Sequence, residues 1–440
     1  MRLLVKSQKL KINNGNRLKR YNMKTIQFIK NSKVLLFAAL SAVGFYSTPV
    51  LAKDYPTSEV NTTGLAVYDD KVIVGQLHSI TGTMAISETG SVEAERLAIS
   101  QINEMGGVLG RKIEIVQEDG ASDWPTFAEK SKKLIIQDKV ACVFGCWTSA
   151  SRKAVLPIFE RENNMLYYPT FYEGLEASKN VVYTGQEATQ QIIWGLDWAY
   201  ENLGTRTFYL IGSDYIWPRT SMKIARNHIE RYLKKKDPKC KVVGEEYYPL
   251  GHTNFRSLIN KVKLKKPDLI YTAVVGGSNV AWYKQLKAAG ITSKKYNMLT
   301  ISTTEDELLG IGGENAEGFY ACMKYFQSQD NAENNEFVNA FKDMWGADSV
   351  IGDVTQAAYL GPWIWKAAVE KAGSFDIDKI HAAHPGIELD APEGYVKVHE
   401  SNQHLYSKAK IGKMLKDGQF EVVAISDDLI EPDPFPKGYQ

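Results

Sequence analysis

The sequence predicts an α/β fold of two doubly wound parallel-sheet lobes, and three observations predict it. Apolar runs of strand length alternate with segments of helical periodicity from residue 71 onward. Strands alternating with helices of this length indicate parallel sheets covered on both faces. The alternation then starts afresh near residue 206, giving two successive series. Lastly, the 388 residues beyond an N-terminal leader are too many for one core and suit two domains.

The leader is residues 1–52. It holds ten Lys or Arg and no Asp or Glu, and "VLLFAALSAVGFY" (34–46) is an apolar run of 13. That run is too short to span a bilayer. "STPVLA" follows, with Val50 and Ala52 at the small-residue positions of a cleavage site. This is the pattern of a secretory signal peptide, with Met23 an alternative start. The full chain has net charge +2, but without the leader it has 43 basic against 51 acidic residues, net −8. A net negative mature chain argues against nucleic acid as a partner.

After an extension (53–70), the first series opens with a strand, "KVIVGQLHS" (71–79). A helix over 88–107 follows, with Val92, Leu97, Ala98 and Ile102 at helical spacing and Gly106-Gly107 as its stop. "RKIEIVQED" (111–119) alternates as a strand. "DWPTFAEKSKKLIIQ" (123–137) is a helix with Asp123 as cap and Pro125 in its first turn. "VACVFG" (140–145) is a strand, a helix starts near Ser149, and "NMLYYPT" (164–170) is a further strand.

The second series gives strands at 206–213, 241–250, 268–276 and 296–303, with helices at 218–236, 254–266 and 278–290 between them. A less regular segment follows: a strand at 318–326, helices at 334–345 and 354–373, and short strands from about 385.

Chemistry-bearing motifs are missing. There is no Walker pattern, GxSxG, HExxH or CxxC, and the seven histidines are scattered without metal-ligand spacing. The sequence therefore calls for no metal or cofactor and no catalytic residue. Gly106, Gly107 and Gly110 follow a helix and precede a strand, the reverse of a phosphate loop. Cys142 and Cys146 lie four apart, about 13 Å in extended chain against a disulfide limit of about 7 Å. They are read as buried free thiols, as are Cys240 and Cys322.

Ligands of open α/β sheets bind outside the carboxyl ends of the strands. The junctions there read "HSITGTM" (78–84), "EDGASDW" (118–124), "GCWTSAS" (145–151), "YPTFYEG" (168–174), "GSDYIWP" (212–218), "VGGSN" (275–279) and "STTEDE" (302–307). They are rich in hydroxyls, small residues and aromatics. Asp214 and Glu305 stand at two of them and are read as hydrogen-bond acceptors or caps.

Together, "GCWTSASRKAVLP" (145–157), "YPTFYEG", "GSDYIWPR" (212–219), "YYPLGHTNF" (247–255) and "GGSNVAWYKQLKAAG" (276–290) resemble the urea-binding proteins of bacterial urea ABC transporters. These belong to the urea- and amide-binding branch of the type I periplasmic binding proteins, and the similarity runs over essentially all of 70–436. The resemblance implies lobe 1 at 71–186 plus 326–374, lobe 2 at 187–325 plus 375–432, and a tail at 433–440. Three crossings, near 186, 325 and 374, form the hinge. It also implies an exported, periplasmic protein that captures a small neutral ligand between its lobes and delivers it to a membrane permease driven by ATPase subunits.

By the family pattern, Trp147, Ser149, Tyr168, Thr170 and Tyr215 line the pocket, with Gly277, Thr303, Thr304 and Glu305 on second-lobe loops. Urea is flat and neutral, with one carbonyl acceptor and four N–H donors. Thr148 and Ser149 can donate to it, Thr170 and Glu305 can accept, and Trp147, Tyr168, Tyr172 and Tyr215 can wall it. The chain departs from the urea pattern at Thr170, Ala188 and Gly277. A short-chain amide or an amino acid therefore stands as the alternative ligand, and an exported ligand sensor as the alternative role.

Overall fold

The computed structural model describes residues 52–439, so the leader of residues 1–52, all but its last residue, lies outside the described residues. Lobe 1 is built on five parallel strands: β1 (Lys71–His78), β2 (Lys112–Asp119), β3 (Val143–Gly145), β4 (Leu166–Tyr168) and β5 (Val181–Tyr183). Their spatial order is β2-β1-β3-β4-β5. Helices α1 (Ala85–Glu104), α2 (Trp124–Lys132) and α3 (Ser149–Glu162) connect the first four. The Asp123 carboxylate caps α2 by accepting from the Thr126 N–H at 3.0 Å, with Pro125 in the first turn, as the sequence predicts.

Lobe 2 repeats this winding. Its parallel strands are β6 (Thr207–Ser213), β7 (Lys241–Tyr248), β8 (Leu269–Ala273), β9 (Asn297–Thr300) and β10 (Tyr320–Met323), in the order β7-β6-β8-β9-β10. The helices of this lobe are α4 (Trp194–Asn202), α5 (Ile216–Asn227), α6 (Arg256–Lys265), α7 (Ser278–Ala288) and α8 (Glu305–Ile311).

The chain then returns to lobe 1 through α9 (Ala332–Trp345), α10 (Asp353–Ala372) and α11 (Ile377–Ala383). Helix α10 lies along α1, where the Tyr359 hydroxyl donates to Gln101 at 2.6 Å. A small antiparallel sheet follows: β11 (Glu388–Ala391), β12 (Gly394–Val398) and β13 (Leu405–Tyr406). Only then do β14 (Lys410–Met414) and β15 (Phe420–Ile425) join the edge of the lobe-2 sheet, antiparallel to β10.

This corrects the third crossing expected near 374. Phe375, Ile377, Ile380, Val396, Val398 and Leu405 share one buried cluster with Val72, Val74, Phe144 and Tyr167 of lobe 1. The apolar face of 375–405 is thus satisfied on lobe 1, and the chain changes lobe just before β14. The other two changes of lobe follow β5 and β10.

The extension at 53–70 is anchored on lobe 1. Arg111, wholly buried, donates to the carbonyls of Tyr55, Tyr68 and Leu109. All four cysteines are buried and free, and burial pushes their thiols up. Among the described residues no helix is long and apolar enough to cross a membrane.

Candidate functional site

In each lobe the strand order reverses between the first and third strands, and the crevice at such a switch point is where open α/β sheets take ligands. In lobe 1 the switch lies between the ends of β1 and β3, at His78-Ser79 and Cys146-Trp147. In lobe 2 it lies between the ends of β6 and β8, at Asp214-Tyr215 and Val274–Gly277. The two crevices meet. The Gly277 N–H donates to the Thr83 carbonyl at 3.3 Å. The rings of Phe171 and Trp217 lie 5.4 Å apart, and those of Trp124 and Tyr215 lie 6.3 Å apart.

The corner between β3 and α3 is shaped by its backbone. Gly145 has φ 155°, and a Cβ there would sit 2.2 Å from the Leu77 carbonyl oxygen. Cys146 follows at φ 63°, and Trp147 and Thr148 complete the turn. Thr148 is the N-cap of α3: its Oγ1 accepts from the Ser151 N–H at 3.0 Å and donates to the Ser151 hydroxyl at 3.0 Å. Its hydroxyl is thereby occupied in capping. The backbone N–H groups of Ser149 and Ala150 begin the helix and have no acceptor within it, so they form a positive, donor-bearing end.

Below this end lies a charge network that the sequence reading missed. The Ser149 hydroxyl donates to Glu173 Oε2 at 2.6 Å and accepts from Arg152 at 3.2 Å. Arg152 is wholly buried; its Nε donates to Glu176 at 2.7 Å and its Nη2 stands 3.6 Å from Glu173 Oε1. The guanidinium lies 4.7 Å over the ring of Tyr168 and 4.5 Å over that of Tyr172. Burial alone would raise the Glu176 carboxyl, but Arg152 and Lys153 bring it down to about 2. A second buried group sits at the end of β1: His78 Nε2 is 2.8 Å from Glu95 and its Nδ1 is 3.5 Å from Glu88. Burial opposes a charge on His78, yet Glu95 and Glu88 raise it to about 10. Glu88 also accepts from the Ser79 N–H at 2.6 Å.

The structure divides the residues expected from the sequence into two sets. Trp147, Ser149, Thr170 and Tyr215 gather at the crevice. Trp147 packs edge-on to Phe171 at 5.6 Å, and its indole Nε1 is buried without a partner. Thr170 Oγ1 and the Tyr215 hydroxyl are likewise buried and unpartnered, as is Glu173 Oε1. Burial, then Tyr168 and Glu173, push the Tyr215 phenol well up, with Arg152 opposing. Tyr168 supports the corner, since its hydroxyl donates to the Trp147 carbonyl at 2.6 Å.

Other expected residues serve structure. Tyr172 is not a wall of the crevice: its hydroxyl reaches the Glu176 carbonyl at 2.8 Å and His404 at 2.5 Å. Its ring stacks on Tyr183 at 5.0 Å inside lobe 1. Gly277 contributes its N–H to Thr83 across the cleft. The Thr303 hydroxyl accepts from Tyr283 at 3.1 Å within lobe 2. Thr304 caps α8 through a reciprocal pair with Glu307. Glu305 is turned to the second crossing, where it accepts from the Gln327 N–H at 2.8 Å, and burial pushes its carboxyl well up.

Comparison with known proteins follows this geometry. The model of the periplasmic binding protein domain family matches residues 72–440. A leucine-, isoleucine-, valine-, threonine- and alanine-binding protein of Pseudomonas aeruginosa is 25% identical over 371 residues, 82% of this chain and 89% of that protein. A limonene hydroxylase of Geobacillus stearothermophilus is 36% identical over 124 residues only, 28% of this chain and 23% of that protein. The chain thus spans less than a quarter of the hydroxylase. Among solved structures, a solute-binding protein of an R. palustris ABC transporter in complex with 4-hydroxybenzoate superposes with a TM-score of 0.73 at 19% identity, over 82% of this chain and 98% of that one. A branched-chain amino acid transporter substrate-binding protein of Streptococcus pneumoniae, in complex with isoleucine, gives a TM-score of 0.69 at 20% identity, over 82% of this chain and 100% of that one. These structural likenesses concern the fold.

Proposed function

The chain belongs to the periplasmic binding protein family, and from that premise we propose that its ligand is a small, planar, neutral amide, urea being the first candidate. The coarser role is plain: this is a solute-binding protein of the ABC-transporter kind, periplasmic by family, working with a permease and its ATPase subunits, and not an enzyme.

One observation carries the ligand reading. Four buried polar atoms without partners, Trp147 Nε1, Thr170 Oγ1, Glu173 Oε1 and the Tyr215 hydroxyl, stand among aromatic rings beside the amino end of α3. Buried polar atoms are normally paired, so such a group marks where a ligand makes the missing bonds. The set offers donors (Trp147 Nε1 and the α3 N–H groups), an acceptor (Glu173) and two hydroxyls, Thr170 and Tyr215, that can act as either. A urea or primary amide presents one carbonyl oxygen and N–H donors in one plane, and these groups pair with that mixture. The strongest buried charges, Arg152 and His78, are already matched within lobe 1. An anionic ligand is therefore not required to neutralise them.

A second reading is favoured by the named relatives, which bind leucine and other amino acids or, in the fold neighbour, an aromatic acid. The amino end of α3 would then take the ligand carboxylate and Glu173 the ammonium. Calorimetric titration of residues 53–440 with urea, acetamide, leucine and 4-hydroxybenzoate separates the two. Saturable heat with urea or acetamide alone supports the amide reading. Heat with leucine or the benzoate alone replaces it.

A further inference from the structure

We infer that Glu173 determines ligand specificity in this site: its free carboxylate oxygen reads the N–H donors of the bound molecule. This rests on the proposed site and deepens it, and neither the motifs nor the comparisons assign Glu173 a role.

Glu173 is only 2% exposed, so bulk solvent does not satisfy it. Its two oxygens are treated differently. Oε2 is fixed by the Ser149 hydroxyl at 2.6 Å, at the first residue of α3. Oε1 has no hydrogen-bond partner, and Arg152 Nη2, 3.6 Å away, is also without one. Arg152 is drawn off: its Nε bonds Glu176, its Nη1 bonds Ser149, and its guanidinium lies against the rings of Tyr168 and Tyr172. The guanidinium thus supplies charge near Glu173 without closing on Oε1. Glu173 lies close enough to Tyr215 of the other lobe, and to Tyr168, to bear on both phenols, and the Tyr168 hydroxyl already donates its hydrogen bond to the Trp147 carbonyl. Thr170, three residues earlier, carries a second unpartnered acceptor.

A carboxylate so placed discriminates by polarity of the hydrogen bond. A ligand with an N–H at that point gains a charge-assisted bond; one with methyl groups there leaves Oε1 buried and unpaired. Sites that hydrogen-bond a substrate group reject the analogue lacking it more strongly than a hydrophobic pocket rejects a change of size.

The test compares ligands with N–H groups against their N-methylated forms: acetamide against N,N-dimethylacetamide, urea against tetramethylurea, leucine against N-methylleucine. For whichever parent binds wild type, Glu173→Met, which keeps length and removes both acceptors, should shrink the preference for the N–H form by at least about tenfold. Glu173→Gln, which keeps a carbonyl oxygen and the fold if the Met variant does not, should shrink it less. Equal weakening of both members of a pair, or no change, overturns the inference and leaves the ligand reading standing. Binding of leucine but neither amide overturns the amide reading, and the leucine pair then decides Glu173. Binding of none of the parents overturns both.

Discussion

Thr83 and Gly277 come from opposite lobes and share a hydrogen bond, the Gly277 N–H donating to the Thr83 carbonyl at 3.3 Å. The preceding Gly276 has φ 61°, and a Cβ on it would meet that same carbonyl oxygen at 2.9 Å and Met84 Sδ at 3.0 Å. The loop approaches lobe 1 closely because it carries no side chain there. Hinge closure of rigid lobes around a ligand depends on such contacts. Gly276→Val should therefore weaken ligand binding by about tenfold or more, through both the clash and the left-handed backbone. Titration of the variant checks this, and unchanged affinity would show that the contact does not gate closure.

Trp147 presents both a ring and a donor. Trp147→Phe keeps an aromatic face and deletes Nε1, so it should cost roughly 0.5–1.5 kcal/mol of binding. Trp147→Ala should cost more, while thermal unfolding still shows a folded protein. If the two variants bind alike, the indole N–H makes no bond to the ligand.

Two tyrosines of the expected site should part company. Tyr172→Phe removes a hydroxyl held by the Glu176 carbonyl and His404, so it should lower stability by about 1–2 kcal/mol and leave affinity unchanged. Tyr215→Phe removes a hydroxyl with no protein partner. It should weaken binding and leave the unfolding temperature almost unaltered. Denaturant unfolding and titration of both proteins give the four values, and a reversed pattern would move Tyr172 into the site.

Asp306 couples the lobes to pH. It lies on α8 and accepts from the Thr355 hydroxyl of α10 at 3.2 Å. Burial, with repulsion from Glu307, pushes its carboxyl from 3.8 up to about 8, against the Thr355 and Thr304 hydroxyls. A carboxyl raised in the folded state contributes stability that is full below its unfolded value. That stability is lost as pH rises through the folded one. The unfolding temperature should accordingly fall between about pH 4 and 8, and Asp306→Asn should flatten part of that fall. The window is shared with Asp353, also raised by burial, to about 6. An identical slope in the variant would remove Asp306 from the account.

The alternation of strands and helices was legible because each long element carries its own period: 71–79, 111–119 and 206–213 are strands close to their predicted bounds. Short or interior elements were not. β5 has three residues, too few to show alternation. The turn and helix at 189–202 are buried on several sides, with Gln190 and Gln191 inside, so their pattern is not amphipathic. The third crossing was misplaced because 375–405 reads as ordinary apolar and polar residues; which lobe covers them is decided only by tertiary packing. In the site, Trp147, Thr170 and Tyr215 stood at strand ends and could be read there. Glu173 stood in plain view in "YPTFYEG", but its partners Ser149 and Arg152 come from α3, 24 and 21 residues away in sequence. No local pattern signals such a pair, whereas a buried carboxylate oxygen without a partner does so at once.

The most direct measurement is a crystal structure of residues 53–440 with the tightest ligand from the titration panel. The account predicts the ligand between the lobes, an acceptor oxygen within hydrogen-bond reach of the Ser149 or Ala150 N–H, and an N–H directed at Glu173 Oε1. A ligand seated elsewhere, or one bound between the lobes with no N–H in reach of Glu173 Oε1, would contradict it.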